Sequence, residues 1–178
     1  VREEGFPYGA CGIYRTNNGG ADWTMQYLLN GGFLYDITFK GKTGIAVGSS
    51  GNLLISTNYG FSWQNHEIST FETIRAISLV QENIGWAVGN YASILRTADS
   101  GISWINQTND VSEKQRFNSV KFINQNVGIV VGRSGLIAKT IDGGDSWVLQ
   151  NSGISDELNS VFLLNETLGW VVGKNVLL

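Results

Sequence analysis

The chain has 178 residues, 42% of them hydrophobic and 15% charged, with a formal net charge of −3. It is apolar enough to bury a core and offers no electrostatic reason to bind nucleic acid or an anionic membrane. One Cys and one His exclude an internal disulfide and a zinc site of several such ligands, and no apolar run approaches the ~18 residues of a membrane-spanning helix, so no metal, cofactor or membrane insertion is expected.

In chain order, residues 12–16 read as a strand that runs into Thr16-Asn-Asn-Gly-Gly-Ala-Asp-Trp23. An alternating segment follows at 34–39, then Gly44-Ile-Ala-Val-Gly48, a strand at 52–56 and Ser56-Thr-Asn-Tyr-Gly-Phe-Ser-Trp63. The same succession returns as 74–79, Gly85-Trp-Ala-Val-Gly89, 93–97 and Thr97-Ala-Asp-Ser-Gly-Ile-Ser-Trp104. It returns again as 117–122, Gly128-Ile-Val-Val-Gly132 and Thr140-Ile-Asp-Gly-Gly-Asp-Ser-Trp147, then as 158–163, Gly169-Trp-Val-Val-Gly173 and 176–178. The closing tryptophans are spaced by 40, 41 and 43 residues, and the glycine-bounded segments by 41, 43 and 41. Period-2 alternation with β-branched and aromatic enrichment marks strands, and no helical period competes with it. Four antiparallel strands per repeat of this length predict an all-β fold, a β-propeller of four-stranded blades in about four repeats of 40–43 residues. The whole of 1–178 is expected to form one propeller domain or part of one.

The fixed positions of the eight-residue box have a structural rationale. A short side chain that accepts hydrogen bonds from turn amides suits Asn18, Asn58, Asp99 and Asp142. A residue free to take positive φ suits Gly20, Gly60, Gly101 and Gly144. Trp23, Trp63, Trp104 and Trp147 lay an apolar ring on the hairpin and offer an indole N–H to a nearby carbonyl. Calcium binding is the weaker reading, because the first two boxes carry Asn and each supplies too few oxygens.

Propellers line their channel with the innermost strand of each blade. The equivalent positions there, one residue into each alternating segment, are Tyr35, Arg75, Asn118 and Asn159. A polar ring of this kind suits either a contact surface or a water-filled channel. The loops between second and third strands add Tyr91 and Arg133, residue types that favour interaction hot spots. Arg75, Arg116 and Arg133 are the arginines that a carboxylate-gripping site would use. The single His and the absence of a Gly-x-Ser-x-Gly elbow leave no catalytic set to name.

The four boxes resemble the Asp-box (BNR) repeat, Ser/Thr-x-Asp-x-Gly-x-x-Trp. Joined to a preceding Gly-Trp-Ala-Val-Gly-x-x-x-x-Ile-Leu-x-Thr, as in residues 85–97, they look most like the propellers of the photosystem II stability and assembly factor type. That resemblance implies a non-catalytic propeller acting as a protein-binding scaffold or assembly factor, outside the cytoplasm, and in the thylakoid lumen if the source is photosynthetic. The box also occurs in sialidases and xyloglucanases, so the alternative is part of a carbohydrate-active propeller whose catalytic residues lie outside this chain, with a glycan as ligand. The box itself names a fold and not an activity. Two arrangements fit the cut repeats at the two ends: an excerpt of a larger propeller, which is favoured, or a closed four-bladed ring in which residues 12–16 pair with 169–173.

Overall fold

The alternating and glycine-bounded segments resolve into strands in a computed structural model, which describes residues 10–68, 72–108, 115–174 and 176–177. The first sheet pairs β1 (Ala10–Arg15) with β2 (Thr24–Asn30). Three complete blades follow: β3 (Leu34–Lys40), β4 (Thr43–Gly48), β5 (Asn52–Ser56) and β6 (Gln64–Glu67); β7 (Ile74–Leu79), β8 (Gly85–Gly89), β9 (Ile94–Thr97) and β10 (Ile105–Asn106); and β11 (Phe117–Phe122), β12 (Gly128–Gly132), β13 (Ile137–Thr140) and β14 (Val148–Gln150). A fifth sheet holds β15 (Leu158–Leu163), β16 (Gly169–Gly173) and β17 (Val176–Leu177). Within each sheet, every strand pairs antiparallel with its chain neighbour, as short turns dictate.

The inner strands β3, β7, β11 and β15 lie successively against one another and so line the axis of the arc. Between the sheets run apolar layers. Ile45, Val47, Leu53 and Ile55 of one blade meet Ile74, Ile77, Ala87 and Leu95 of the next. Ala76, Trp86, Val88 and Ile94 in turn meet Phe117, Val120, Phe122 and Val130. The second strands of the first two complete blades are therefore covered on both faces: all residues of β4 and β8 are buried, which is why they read as near-continuous Gly-x-x-Val-Gly runs rather than as alternation.

The fourfold closure weighed from the sequence is not what the strands form. Among the described residues, β1 pairs with β2 alone, and the free edge of β16 carries β17. The described residues form an open run of propeller blades.

Candidate functional site

The eight-residue boxes fold as one hydrogen-bonded unit. The Ser or Thr oxygen at the first position accepts the glycine N–H four residues on, at 3.0 Å in Thr16–Gly20 and 2.9 Å in Ser56–Gly60, Thr97–Gly101 and Thr140–Gly144. The Asn or Asp Oδ1 accepts the N–H of Asp22, Ser62, Ser103 or Ser146 at 2.8 to 3.0 Å. The second oxygen or the amide nitrogen adds a further bond: Asp99 and Asp142 accept from the hydroxyls of Ser103 and Ser146, whereas Asn58 and Asn18 donate to Ser62 and Asp22. The Ser146 hydroxyl and amide, with Thr140, hold the Asp142 carboxyl at a pKa of about 2. For Asp99, burial pulls upward, but the bonds from Ser103 and Thr97 outweigh it and lower its pKa. These oxygens are occupied by the turn itself, and among the described residues no cluster of His, Cys, Asp and Glu is arranged to hold a metal ion.

Two details go beyond the sequence reading. All four box glycines take positive φ, and so do the residues before them, including the non-glycines Tyr59 and Ser100. The indole N–H reaches a carbonyl in Trp23 and Trp104, at 3.1 and 2.9 Å, but that of Trp63 is buried without a hydrogen-bond partner. Trp63 and Trp147 are buried, Trp104 is half-buried and Trp23 is 61% exposed, because the sheet of β1 and β2 has less around it than the complete blades.

The inner-strand positions share a geometry that their equivalence did not reveal. Tyr35, Arg75, Asn118 and Asn159 are each the extra residue of a β-bulge: the register steps from Leu34↔Gly48 to Asp36↔Val47, and likewise in the three later blades. The glycine opposite is required there. A β-carbon on Gly48, Gly89, Gly132 or Gly173 would drive into the carbonyl of Phe33, Thr73, Arg116 or Glu157. Each of those carbonyls instead accepts the N–H just after the glycine, from Ser49, Asn90, Arg133 and Lys174, at 2.9 to 3.0 Å. The signal was present in the sequence as the second glycine of Gly-x-x-Val-Gly.

The bulges aim polar side chains together across blades. The Arg75 guanidinium lies 5.6 Å from the Tyr35 ring centroid and donates from Nε to Asn90 Oδ1 at 3.0 Å. Arg116 forms an ion pair with Glu157, one repeat on, and Asn118 Nδ2 donates to Glu157 Oε1 and to the Leu158 carbonyl, both at 2.9 Å. Burial, then the fields of Arg75 and Arg133, lower the Arg116 pKa below the usual arginine value, and its Nε is buried without a partner. Arg75 and Arg133 thus lie within electrostatic range of Arg116. Arg133 and Tyr91 are exposed on the second-to-third-strand loops, as is Asn159 at its bulge. Part of the long connection before Arg116, residues 109–114, lies outside the described residues.

Asp36, next to the bulge residue Tyr35, also belongs to this face. Its Oδ2 accepts the Ile77 N–H at 2.9 Å and its Oδ1 the Ile37 N–H at 2.8 Å, so it ties one inner strand to the next. Burial raises its pKa against these two bonds. Ser119 does the same for Val161 at 3.3 Å. Ile77 lies one residue beyond Ala76, the repeat equivalent of Asp36, so the pair follows from the stagger between neighbouring inner strands and not from repeat equivalence.

Comparison with known proteins settles the family. A family model described as "Photosynthesis system II assembly factor YCF48" matches residues 55–151 and 107–178, together more than half of the chain. The chain belongs to the YCF48 family. No curated protein matches it. Among solved structures, a YCF48 bound to D1 peptide is 24% identical over 68% of this chain and 42% of its own, with a TM-score of 0.61. YCF48 from Cyanidioschyzon merolae is 22% identical over 80% of this chain and 50% of its own, at 0.62. A GH74 enzyme of Niastella koreensis is 20% identical over 91% of this chain and 25% of its own, at 0.63. At these identities the structural likeness shows the shared propeller fold alone. The chain spans half or less of the length of each of these YCF48 and GH74 structures.

Proposed function

We propose that this chain is a non-catalytic, protein-binding part of a YCF48-type assembly factor, and that it holds an extended peptide bearing a carboxylate on its bulge-lined face. The observation that carries this reading is that Arg75 and Arg133 lie within electrostatic range of Arg116, whose ion pair with Glu157 leaves a buried Nε without a partner. Cations pushed together at partly desolvated sites repel one another, and a carboxylate ligand relieves that repulsion through charge-assisted hydrogen bonds. Tyr35, whose ring lies 5.6 Å from the Arg75 guanidinium, and the exposed Tyr91 offer aromatic area that suits peptide contact. The YCF48 structure with a D1 peptide makes a peptide the fitting ligand class. An extracytoplasmic setting, the thylakoid lumen in a photosynthetic source, accompanies this reading.

The experiment is calorimetric titration with a peptide ending in a free, acidic C-terminus, alongside its amidated form and a xyloglucan oligosaccharide. Arg133→Glu is the test variant, because Arg133 is exposed and its loss leaves the blade core intact. The expected outcome is binding of the acidic peptide that weakens by about tenfold or more in the variant and as salt rises. Equal binding of wild type and Arg133→Glu would sink the proposal, as would binding of the oligosaccharide alone.

A further inference from the structure

The loops between second and third strands share a backbone in all three complete blades, but not their residues. Ser49-Ser50-Gly51, Asn90-Tyr91-Ala92 and Arg133-Ser134-Gly135 each carry two consecutive residues at positive φ. The angles are 54° and 72° at Ser50 and Gly51, 53° and 55° at Tyr91 and Ala92, and 56° and 67° at Ser134 and Gly135. One hydrogen bond holds each loop, from the third residue's N–H to the carbonyl two residues ahead of the next inner strand. Gly51 donates to Glu72 at 2.9 Å, Ala92 to Gln115 at 2.7 Å and Gly135 to Asp156 at 2.7 Å. The tertiary structure thus imposes the left-handed conformation whatever residue stands there, and a side chain with a β-carbon is strained by it.

Two blades keep that strain small, with glycine at the third position and a short, exposed serine at the second. The blade between them does not. Ala92 has a packing reason, being fully buried in the apolar layer shared with Phe117 and Val130. Tyr91 has no such reason. It is 65% exposed, so a bulky side chain is kept on a strained backbone without burial to offset the cost.

The neighbourhood shows what the ring can serve. Asn90, the preceding residue, accepts from Arg75 Nε at 3.0 Å, so Tyr91 stands one residue from the side chain that orients an arginine of the candidate peptide site. Near Arg75, Arg116 and Arg133 a basic side chain is repelled, while an acidic one is met by guanidinium groups. A tyrosine adds a different contact, an apolar ring with a polar tip.

We propose that Tyr91 sets sequence specificity on this face by receiving a large apolar side chain that lies beside the carboxylate of the bound peptide. This rests on the peptide reading above and adds to it the kind of residue that must accompany the carboxylate. Because the loop is already locked by the Ala92 bond, the ring is presented to solvent before the peptide arrives, and little freedom is lost on binding.

Calorimetric titration compares two short peptides with free C-termini, one ending Phe-Glu and one ending Gly-Glu, on the wild type, Tyr91→Ser and Arg133→Glu. Serine is what the other two loops carry at this φ, so Tyr91→Ser should fold as the wild type does and unfold at an equal or higher guanidinium concentration. The expected result is a preference of about tenfold for the Phe-Glu peptide in the wild type, lost in Tyr91→Ser, which still binds the Gly-Glu peptide with wild-type affinity and salt dependence. Arg133→Glu should weaken both peptides and keep the preference. A wild type without the preference, or the same preference in Tyr91→Ser, overturns this inference alone while Arg133→Glu still weakens both peptides. Equal weakening of both peptides by Tyr91→Ser with a lowered unfolding midpoint makes the ring structural and overturns it too. A wild type that binds neither peptide overturns this inference and the peptide reading together.

Discussion

Removing Trp86 probes the joint on which the arc depends. The residue is fully buried, and its ring overlaps Phe122 at 3.5 Å. Its indole N–H is shared between the Gly143 carbonyl at 3.0 Å and Gln107 Oε1 at 3.1 Å. Trp86→Ala forfeits the packing of a large aromatic core residue, about 3 to 5 kcal/mol. It also strands a buried carbonyl and a buried amide oxygen, which adds about 1 to 3 kcal/mol. Gln107 keeps only a 3.3 Å bond from its Nε2 to Asp145, so the second loss is not absorbed locally. Trp86→Phe separates the two contributions: it retains a ring on Phe122 and loses the donor, for about 1 to 3 kcal/mol. Guanidinium denaturation followed by far-ultraviolet circular dichroism reads both, with tryptophan fluorescence avoided because the mutation removes a reporter. Stacked repeats can unfold in parts, so amide exchange across β11 and β12 should accompany it and show the loss propagating into the neighbouring blade. A cost below about 1.5 kcal/mol for Trp86→Ala, or equal costs for the two variants, would refute the argument that packing dominates and the indole bond adds to it.

Three further outcomes follow from the local geometry. Gly132→Ala should destabilise by about 2 to 4 kcal/mol, since its β-carbon meets the Arg116 carbonyl, whereas Gly153→Ala, where the added carbon enters open space, should cost only about 1 kcal/mol for its positive φ; thermal melts distinguish them. Ser100→Gly should stabilise by about 0.5 to 1 kcal/mol in chemical denaturation, because serine there holds a φ of 66° that glycine adopts freely. Asp142 has a folded pKa of about 2 against an ordinary 3.8, so its contribution to stability is complete above the ordinary value and is lost as pH falls from there towards 2. Melting temperature should fall over that window, and Asp142→Asn should flatten the fall, because an amide can donate to Ser146 as Asn58 does to Ser62. A slope unchanged by the substitution would assign acid sensitivity elsewhere.

The blades, their number of strands and the box turns were legible in the sequence because they are local. Hydrophobic period, glycine placement and hydrogen bonds between residues two to four apart are encoded within a single repeat, as Thr140, Asp142, Gly144 and Ser146 show. The candidate site was legible only as a set of equivalent positions. That Tyr35, Arg75, Asn118 and Asn159 are bulge residues depends on register across strands, and a one-residue step there leaves the alternation of the inner strand looking intact. The tertiary structure alone brought Arg116 to Glu157, Asp36 to the Ile77 amide and Arg75 and Arg133 into the field of Arg116. It also decided that β16 pairs with β17 rather than with β1. The reason is that a repeat specifies the same faces in every copy, whereas whether a face is covered depends on what stands beside it, and no single repeat carries that information.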